Sequence, residues 1–258
     1  MQMLRRSLAC LVALAVCGAA PLMARAEDLN VAVAANFLGT LQKLAPMYEK
    51  VTGNHLLPSA GSSGQLYTQI KQGAPFDVFL SADSDRPARL ETEGFAVSGS
   101  LFTYAIGTLV LWSPKPAFVD NAGKLLSSER YRTISIANPA TAPYGAAAQQ
   151  VLMALGLWDR LNTAKKIVIG ENIEQAWQFA ATGAAEVGFV ALSQVIREGT
   201  LSGSYWIPPQ VMYQPIDQDA VVLKRSRKGA SAQKFLDWLR HDPQAIAVIK
   251  AAGYRVSR

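Results

Sequence analysis

The sequence predicts an α/β protein of two lobes, each a mostly parallel sheet flanked by helices, with the chain crossing between the lobes twice. Three observations carry this. From Leu29 onward short apolar strands alternate with amphipathic helices, the pattern of parallel strands joined by helical crossovers. The strands Asp77–Leu80 and Val187–Val190 are apolar at nearly every position, as strands covered on both faces must be. The run Phe102–Trp112 is long, apolar and broken once, at Gly107. Beyond it the same strand-helix alternation starts again, so this run reads as the passage from one lobe to the other.

The first residues stand apart from the fold. A basic start (Arg5, Arg6), an apolar stretch over Leu8–Leu22 and Ala24-Arg25-Ala26 ahead of Glu27-Asp28 have the three-part form of a secretory signal peptide, cleaved near Ala26. The apolar stretch is short for a membrane span, and no longer one follows. A rival reading takes Leu14–Cys17 as a lipidation site at Cys17, against which Val16 fits poorly before the cysteine. Both cysteines, Cys10 and Cys17, lie in this leader, so the exported chain is expected to hold no disulfide, thiolate metal site or cysteine nucleophile. About 230 residues remain, enough to bury a core by themselves.

The formal charge of +6 belongs partly to the leader. Taking Arg5, Arg6 and Arg25 from the 25 basic residues leaves 22 against 19 acidic ones, a net +3. No basic stripe with interleaved aromatics suggests nucleic acid, and the run Lys224–Lys228 reads as a solvated turn.

In chain order, Leu29, Val31 and Val33 form a first strand. Ala34-Ala35-Asn36 is a tight junction, and Phe37, Leu41, Leu44, Ala45 and Tyr48 recur at helical spacing, with Asn36 the expected N-cap. Pro46 should kink this helix without ending it, because the apolar stripe continues to Val51; Thr52-Gly53-Asn54 closes the unit. A second strand, His55–Ser59, leads through Gly61-Ser62-Ser63 into a helix over Gly64–Lys71, ended by Gly73 and Pro75. The third strand, Asp77–Leu80, precedes a helix around Pro87–Glu93. After the crossing come strand Ile134–Ala137, helix Tyr144–Leu155, strand Ile167–Ile169, helix Ile173–Thr182 and strand Val187–Val190. The return crossing is Tyr213–Leu223, and helices Ala230–Leu239 and Pro243–Ala251 should pack back on the first lobe. The expected division is residues 1–26 as leader, 27–107 with 217–258 as the first lobe, and 108–216 as the second, with hinges near Gly107 and Asp217.

Catalytic machinery is sparse. The histidines, His55 and His241, lie far apart at a strand start and a turn; neither accompanies a Gly-x-Ser-x-Gly elbow, and no P-loop occurs. Two histidines without cysteine argue against zinc. Asp77, Asp83 and Asp85 could surround a hard cation, but a strand start for Asp77 and a polar turn before Pro87 for Asp83 and Asp85 account for them better.

What recurs is a small polar residue at the C-terminal end of a strand, immediately before a helix: Asn36, Ser62-Ser63, Thr141 to Tyr144, and Asn172-Ile173. In open α/β sheets these ends face the ligand crevice. Four helix N-termini, two per lobe, offer free N–H groups and positive dipole ends, enough to hold an anion without a cationic side chain. Ordinary capping predicts the same residues, so the caps leave both readings open. Asn172-Ile173-Glu174-Gln175 also has the spacing of a capping box.

Five stretches, Val33–Phe37, Ser59–Gly64, Gly73–Asp83, Asn138–Gly145 and Gly188–Val190, resemble in matching order the periplasmic molybdate-binding proteins of molybdate ABC transporters. The Gly-Ala-Pro-x-Asp-x-Phe-x-Ser-Ala-Asp run is the most specific piece, and the likeness spans Leu29–Tyr254. It implies the type II periplasmic solute-binding fold, no cofactor, and a molybdate or tungstate ligand passed to an inner-membrane ABC permease by a monomeric receptor. It further implies four oxyanion contacts: Asn36 through side chain or backbone, Ser63 through hydroxyl and N–H, and Tyr144 and Ile173 through backbone amides. On that basis Tyr144→Phe should matter little. The chain departs from many relatives at Asn36, where they have Ser, at Ala35, where some have Thr, and at Ala191, where some place a Tyr hydroxyl. A receptor for sulfate or another small oxyanion is the alternative. A periplasmic enzyme on the same fold, with Glu171 or Glu174 as acid or base, is the reading from another class.

Overall fold

A computed structural model describes residues 26–256 apart from Glu129 and Glu198; the proposed leader up to Arg25, with Cys10 and Cys17, lies outside the described residues. The chain runs β1 (Asp28–Ala34), α1 (Leu38–Thr52), β2 (His55–Gly61), α2 (Ser63–Lys71), β3 (Val78–Leu80), α3 (Asp85–Thr92) and β4 (Phe102–Gly107). It continues through β5 (Leu109–Ser113), β6 (Ile134–Ala137), α4 (Pro143–Ala154), α5 (Trp158–Thr163), β7 (Ile167–Gly170), α6 (Ile173–Ala181), β8 (Val187–Ala191) and α7 (Leu192–Val195). The remainder is β9 (Ile196–Arg197), β10 (Thr200–Leu201), β11 (Ser204–Trp206), β12 (Ile216–Val222), α8 (Gly229–His241) and α9 (Pro243–Ala251).

The strands form two five-stranded sheets, ordered β2-β1-β3-β12-β4 and β11-β5-β8-β6-β7, beside a small β9-β10 ribbon. The run Phe102–Trp112 is divided between them: β4 belongs to the first sheet and β5 to the second, with Thr108 between. The chain re-enters the first sheet at β12. Each sheet is mixed. Its crevice-side strands pair in parallel (β1 with β2 and β3; β6 with β7 and β8), whereas the strands that cross between sheets pair antiparallel (β12 with β3 and β4; β5 with β8 and β11). Antiparallel pairing follows from topology, because a strand returning from the other lobe enters the sheet from its far end.

Alternate residues of the strands feed cores on opposite faces. In the second sheet Leu109 and Leu111 join the cluster of α4 and α5, while Val110 and Trp112 join Ala180, Val190 and Val195 on the other face. In the first sheet Val31 and Val33 pack with α1, α8 and α9, and Ala32 and Phe79 with α2 and α3. The uninterrupted apolar runs in the sequence are this two-sided burial. The first α/β unit closes at Gly53, whose φ of +74° caps α1 in the left-handed conformation. Pro46 lies within α1, which continues to Thr52.

The junction after β1 differs from expectation. Ala35–Phe37 form a short 3-10 turn, α1 starts at Leu38, and Asn36 does not cap it. The reason is tertiary: both protons of the Asn36 amide are committed elsewhere, to Gln218 Oε1 at 2.9 Å and the Tyr254 hydroxyl at 3.1 Å.

Candidate anion-binding site

Register brings the candidate residues together. Ala34 at the end of β1 pairs with Gly61 at the end of β2, and Ala137 at the end of β6 with Gly170 at the end of β7. The turns that follow therefore stand side by side in each lobe. The two pairs face one another across a small cavity lined by Ala34, Asn36, Ser63, Ala142, Tyr144 and Ile173, among others. All four sequence-expected residues line it, and none carries a formal charge. Asn36, Ser63, Tyr144 and Ile173 are all less than 5% exposed.

An account of the helix N-termini shows which donors are left over. An α-helix leaves its first N–H groups without intrahelical acceptors. In α2 the Gln65 N–H reaches the Ser62 hydroxyl, the Leu66 N–H the Ser62 carbonyl, and the Gly64 N–H the carbonyl of Thr141 in the other lobe at 2.9 Å. Only the Ser63 N–H of this first turn lacks a partner among the described residues. In α6 Asn172 Oδ1 accepts from Glu174 and Gln175 at 3.0 and 3.1 Å and its carbonyl from Ala176, which leaves Ile173. The expected reciprocal bond of a capping box is shifted by one residue, since Gln175 Oε1 accepts from the Glu171 N–H. In α4 Pro143 has no N–H and Ala146 bonds the Ala142 carbonyl, so the openings fall at Tyr144 and Gly145.

Two neighbouring serines divide the work. Ser62 is the cap of α2 and exchanges bonds with Gln65. Ser63 turns inward, and its Oγ accepts the Ala82 N–H at 2.9 Å; its own proton has no acceptor among the described residues and remains available to a ligand oxygen. Gly145 lets α4 begin against the end of β6: a Cβ there would sit 2.3 Å from the Ala137 carbonyl oxygen.

The lobes meet around this cavity. Ala34, Ala35 and Ala82 share one apolar cluster with Ala142 and Tyr144. Ser193 Oγ donates to the Asn36 carbonyl at 3.0 Å, and Arg86 Nη2 reaches the Ala140 carbonyl at 3.4 Å. Burial drives the phenol pKa values of Tyr104 and Tyr144 well above the usual range, and that of Tyr254 to about 12 despite opposing hydrogen bonds from Ser193, Asn36 and Thr40. All three therefore stay neutral hydrogen-bonding groups at any physiological pH.

The other candidates are spoken for separately. Asp77 accepts from the Asn30 N–H and the Ser226 hydroxyl, Asp83 pairs with Arg86, and Asp85 lies exposed beside Arg89. Glu174 accepts from Gln194 Nε2 at 2.9 Å, and Glu171 is exposed. His55 pairs with Glu49 and His241 with the Asp237 carbonyl, both at the surface. Ala191 does not line the cavity; its N–H caps to Gln194. Sequence reasoning missed the polar layer beneath the site, built from Gln218, Tyr104, Tyr254 and Ser193. Its one visible trace was a glutamine inside an otherwise well-buried strand.

Two α/β lobes that bring uncharged helix N-termini together around one small cavity define the class, a receptor that binds a solute. The chain belongs to the bacterial extracellular solute-binding protein family, whose model matches residues 29–255. It is 52% identical to the molybdate-binding protein ModA of Azotobacter vinelandii over 90% of this chain and 91% of that protein. To ModA of Rhodobacter capsulatus it is 48% identical over 94% of both. Among solved structures, the periplasmic molybdate-binding protein of Azotobacter vinelandii superposes with a TM-score of 0.88 at 49% identity, covering 89% of this chain and all of that one.

Proposed function

We propose that this protein is the exported receptor of a molybdate importer. It binds molybdate, and tungstate as its near equal in size and charge, between its lobes and delivers the ion to a membrane ABC permease without chemical change. The observation that carries the reading is the N–H account: after capping and inter-lobe bonds, the unspent donors fall at Ser63, Ile173, Tyr144 and the adjoining Gly145, and the first three of these residues line one cavity. Asn36 joins them through its backbone N–H, since its side-chain protons are already committed. Ser63 adds its hydroxyl. The likeness to two molybdate-binding proteins over nine-tenths of the chain supports the choice of ion.

A dianion held only by neutral donors is stabilised by directed N–H and O–H bonds and helix dipoles. Discrimination then rests on the size of the ion and on its lacking protons, because a protonated oxygen would face a donor and leave it unpaired, at about 1–3 kcal/mol. The receptor works as a periplasmic monomer freed of its leader near Ala26. Residues 27–107 with 217–258 move against 108–216 about the crossings at Gly107 and Asp217.

The test is thermal unfolding of the oxyanion-free protein with molybdate, tungstate, sulfate and phosphate added separately. Ligand at about 1,000 times its Kd adds roughly 4 kcal/mol, or about 8–16 °C for a chain of this size. Molybdate and tungstate should each produce such a shift and phosphate none. A shift with sulfate alone makes the protein a sulfate receptor, and no shift with any of the four refutes the oxyanion reading.

A further inference from the structure

We infer that Gln218 is a positioning residue that ties closure of the lobes to the alignment of the ligand donors, an inference that rests on the site proposed above. Gln218 lies on β12, just past the return crossing, and is completely buried. Its Oε1 accepts from Asn36 Nδ2 at 2.9 Å and lies 3.1 Å from the Tyr104 hydroxyl; its Nε2 donates to the Tyr144 hydroxyl at 3.3 Å. Asn36 and Tyr104 belong to elements of the first sheet, whereas Tyr144 opens α4 on the second. One amide therefore holds both sides of the cavity, acceptor toward one lobe and donor toward the other.

The bonds continue to the remaining donors. Tyr104 also lies 3.0 Å from the Ser81 carbonyl, and the next N–H, of Ala82, holds the Ser63 hydroxyl. The Tyr254 hydroxyl lies 2.7 Å from the Asn36 carbonyl and 2.9 Å from Ser193 Oγ, which belongs to the second lobe. Two backbone features make the arrangement possible. The pairing of β12 with β4 slips between Gln218 and Asp219, a bulge of the kind that re-aims a side chain. Gly107 leaves the necessary space: a Cβ there would sit 2.1 Å from the Tyr144 hydroxyl oxygen and 2.7 Å from Gln218 Nε2. The Tyr144 hydroxyl, on which the sequence placed no weight, thus has a defined partner.

A glutamine serving only to satisfy a core would bond within one lobe. Here the Gln218–Tyr144 bond spans the two lobes, while the bonds to Asn36 and Tyr104 stay within the first. The test is a double-mutant cycle of Tyr144→Phe and Gln218→Met. It is read by the molybdate dissociation rate in stopped-flow fluorescence and by the inter-lobe distance between spin labels on Thr92→Cys and Asp159→Cys, in protein lacking residues 1–26. Each single variant should release molybdate about three- to tenfold faster, the worth of one hydrogen bond, and show an added open population. The double variant should be no worse than its more affected parent. Unchanged rates and distances, independent multiplying effects, or a loss confined to the ligand-free melting temperature overturn the inference. Should Gln218→Met fail to fold, Tyr144→Phe decides alone on the same two readouts. If the parent protein ignores molybdate, the proposed function fails. The ligand-free distances then decide the inference: a shift toward open in Tyr144→Phe supports it, and none overturns it.

Discussion

At the scale of the residue, the site depends on which polar atoms have already been used. Ser62 and Ser63 have the same chemistry and adjacent places in the chain, yet the first spends its hydroxyl on Gln65 and the second keeps a proton free. Ser63→Ala should therefore raise the Kd for molybdate by about ten- to a hundredfold, the worth of one buried donor, as measured by isothermal titration. Ser62→Ala should fall mainly on stability. A Ser63→Ala protein that binds as tightly as the parent would remove Ser63 from the site. Asn36 teaches the complementary lesson: a residue type suited to capping leaves the helix start uncapped when tertiary partners take both of its amide protons.

At the scale of the element, helix starts line the cavity and strand ends place them. Each helix that faces the cavity has a device that satisfies its inner N–H groups and leaves one or two outer ones: Ser62 for α2, Asn172 for α6, and Pro143 with the Ala142 carbonyl for α4. Asn172→Ala should cost about 0.5–2 kcal/mol of stability in chemical denaturation, the usual worth of such a cap, and Asn172→Ser should recover most of it. Equal stability of the alanine variant would show that Asn172 does not hold the start of α6. These starts were legible in the chain because capping is local, spanning three residues, and because parallel strands announce themselves by continuous apolar runs. The mixed character of the sheets was not legible, nor were α5 and β9–β11. Pairing direction is decided by how the chain returns from the other lobe, and short edge strands carry little periodicity.

At the scale of the whole molecule, contacts between the lobes build a surface that neither lobe completes alone. The Gly64 N–H crosses to the Thr141 carbonyl, and a Cβ on Gly64 would stand 3.0 Å from the Thr141 backbone. Gly64→Ala should therefore spare the ligand-free protein and penalise its closed form by about 1–3 kcal/mol, an overpacking cost, seen as a roughly five- to hundredfold weaker molybdate titration at an unchanged ligand-free melting temperature. A fall in that melting temperature with unchanged affinity would mean the contact does not depend on closure.

The sequence by itself determined the order of the main strands and helices, the passage from one sheet to the other past Gly107, and four of the residues that line the cavity. All of these follow from local chemistry, from apolar periodicity and from the likeness of short motifs. Only the tertiary structure decided what their side chains do. Asn36 lies 182 residues from Gln218 and 218 from Tyr254, separations at which no local signal operates. The hydrogen bonds that immobilise Asn36, free Ser63 and couple Tyr144 to the crossing arise because burial obliges most polar groups to find a partner, and topology determines which partners are within reach.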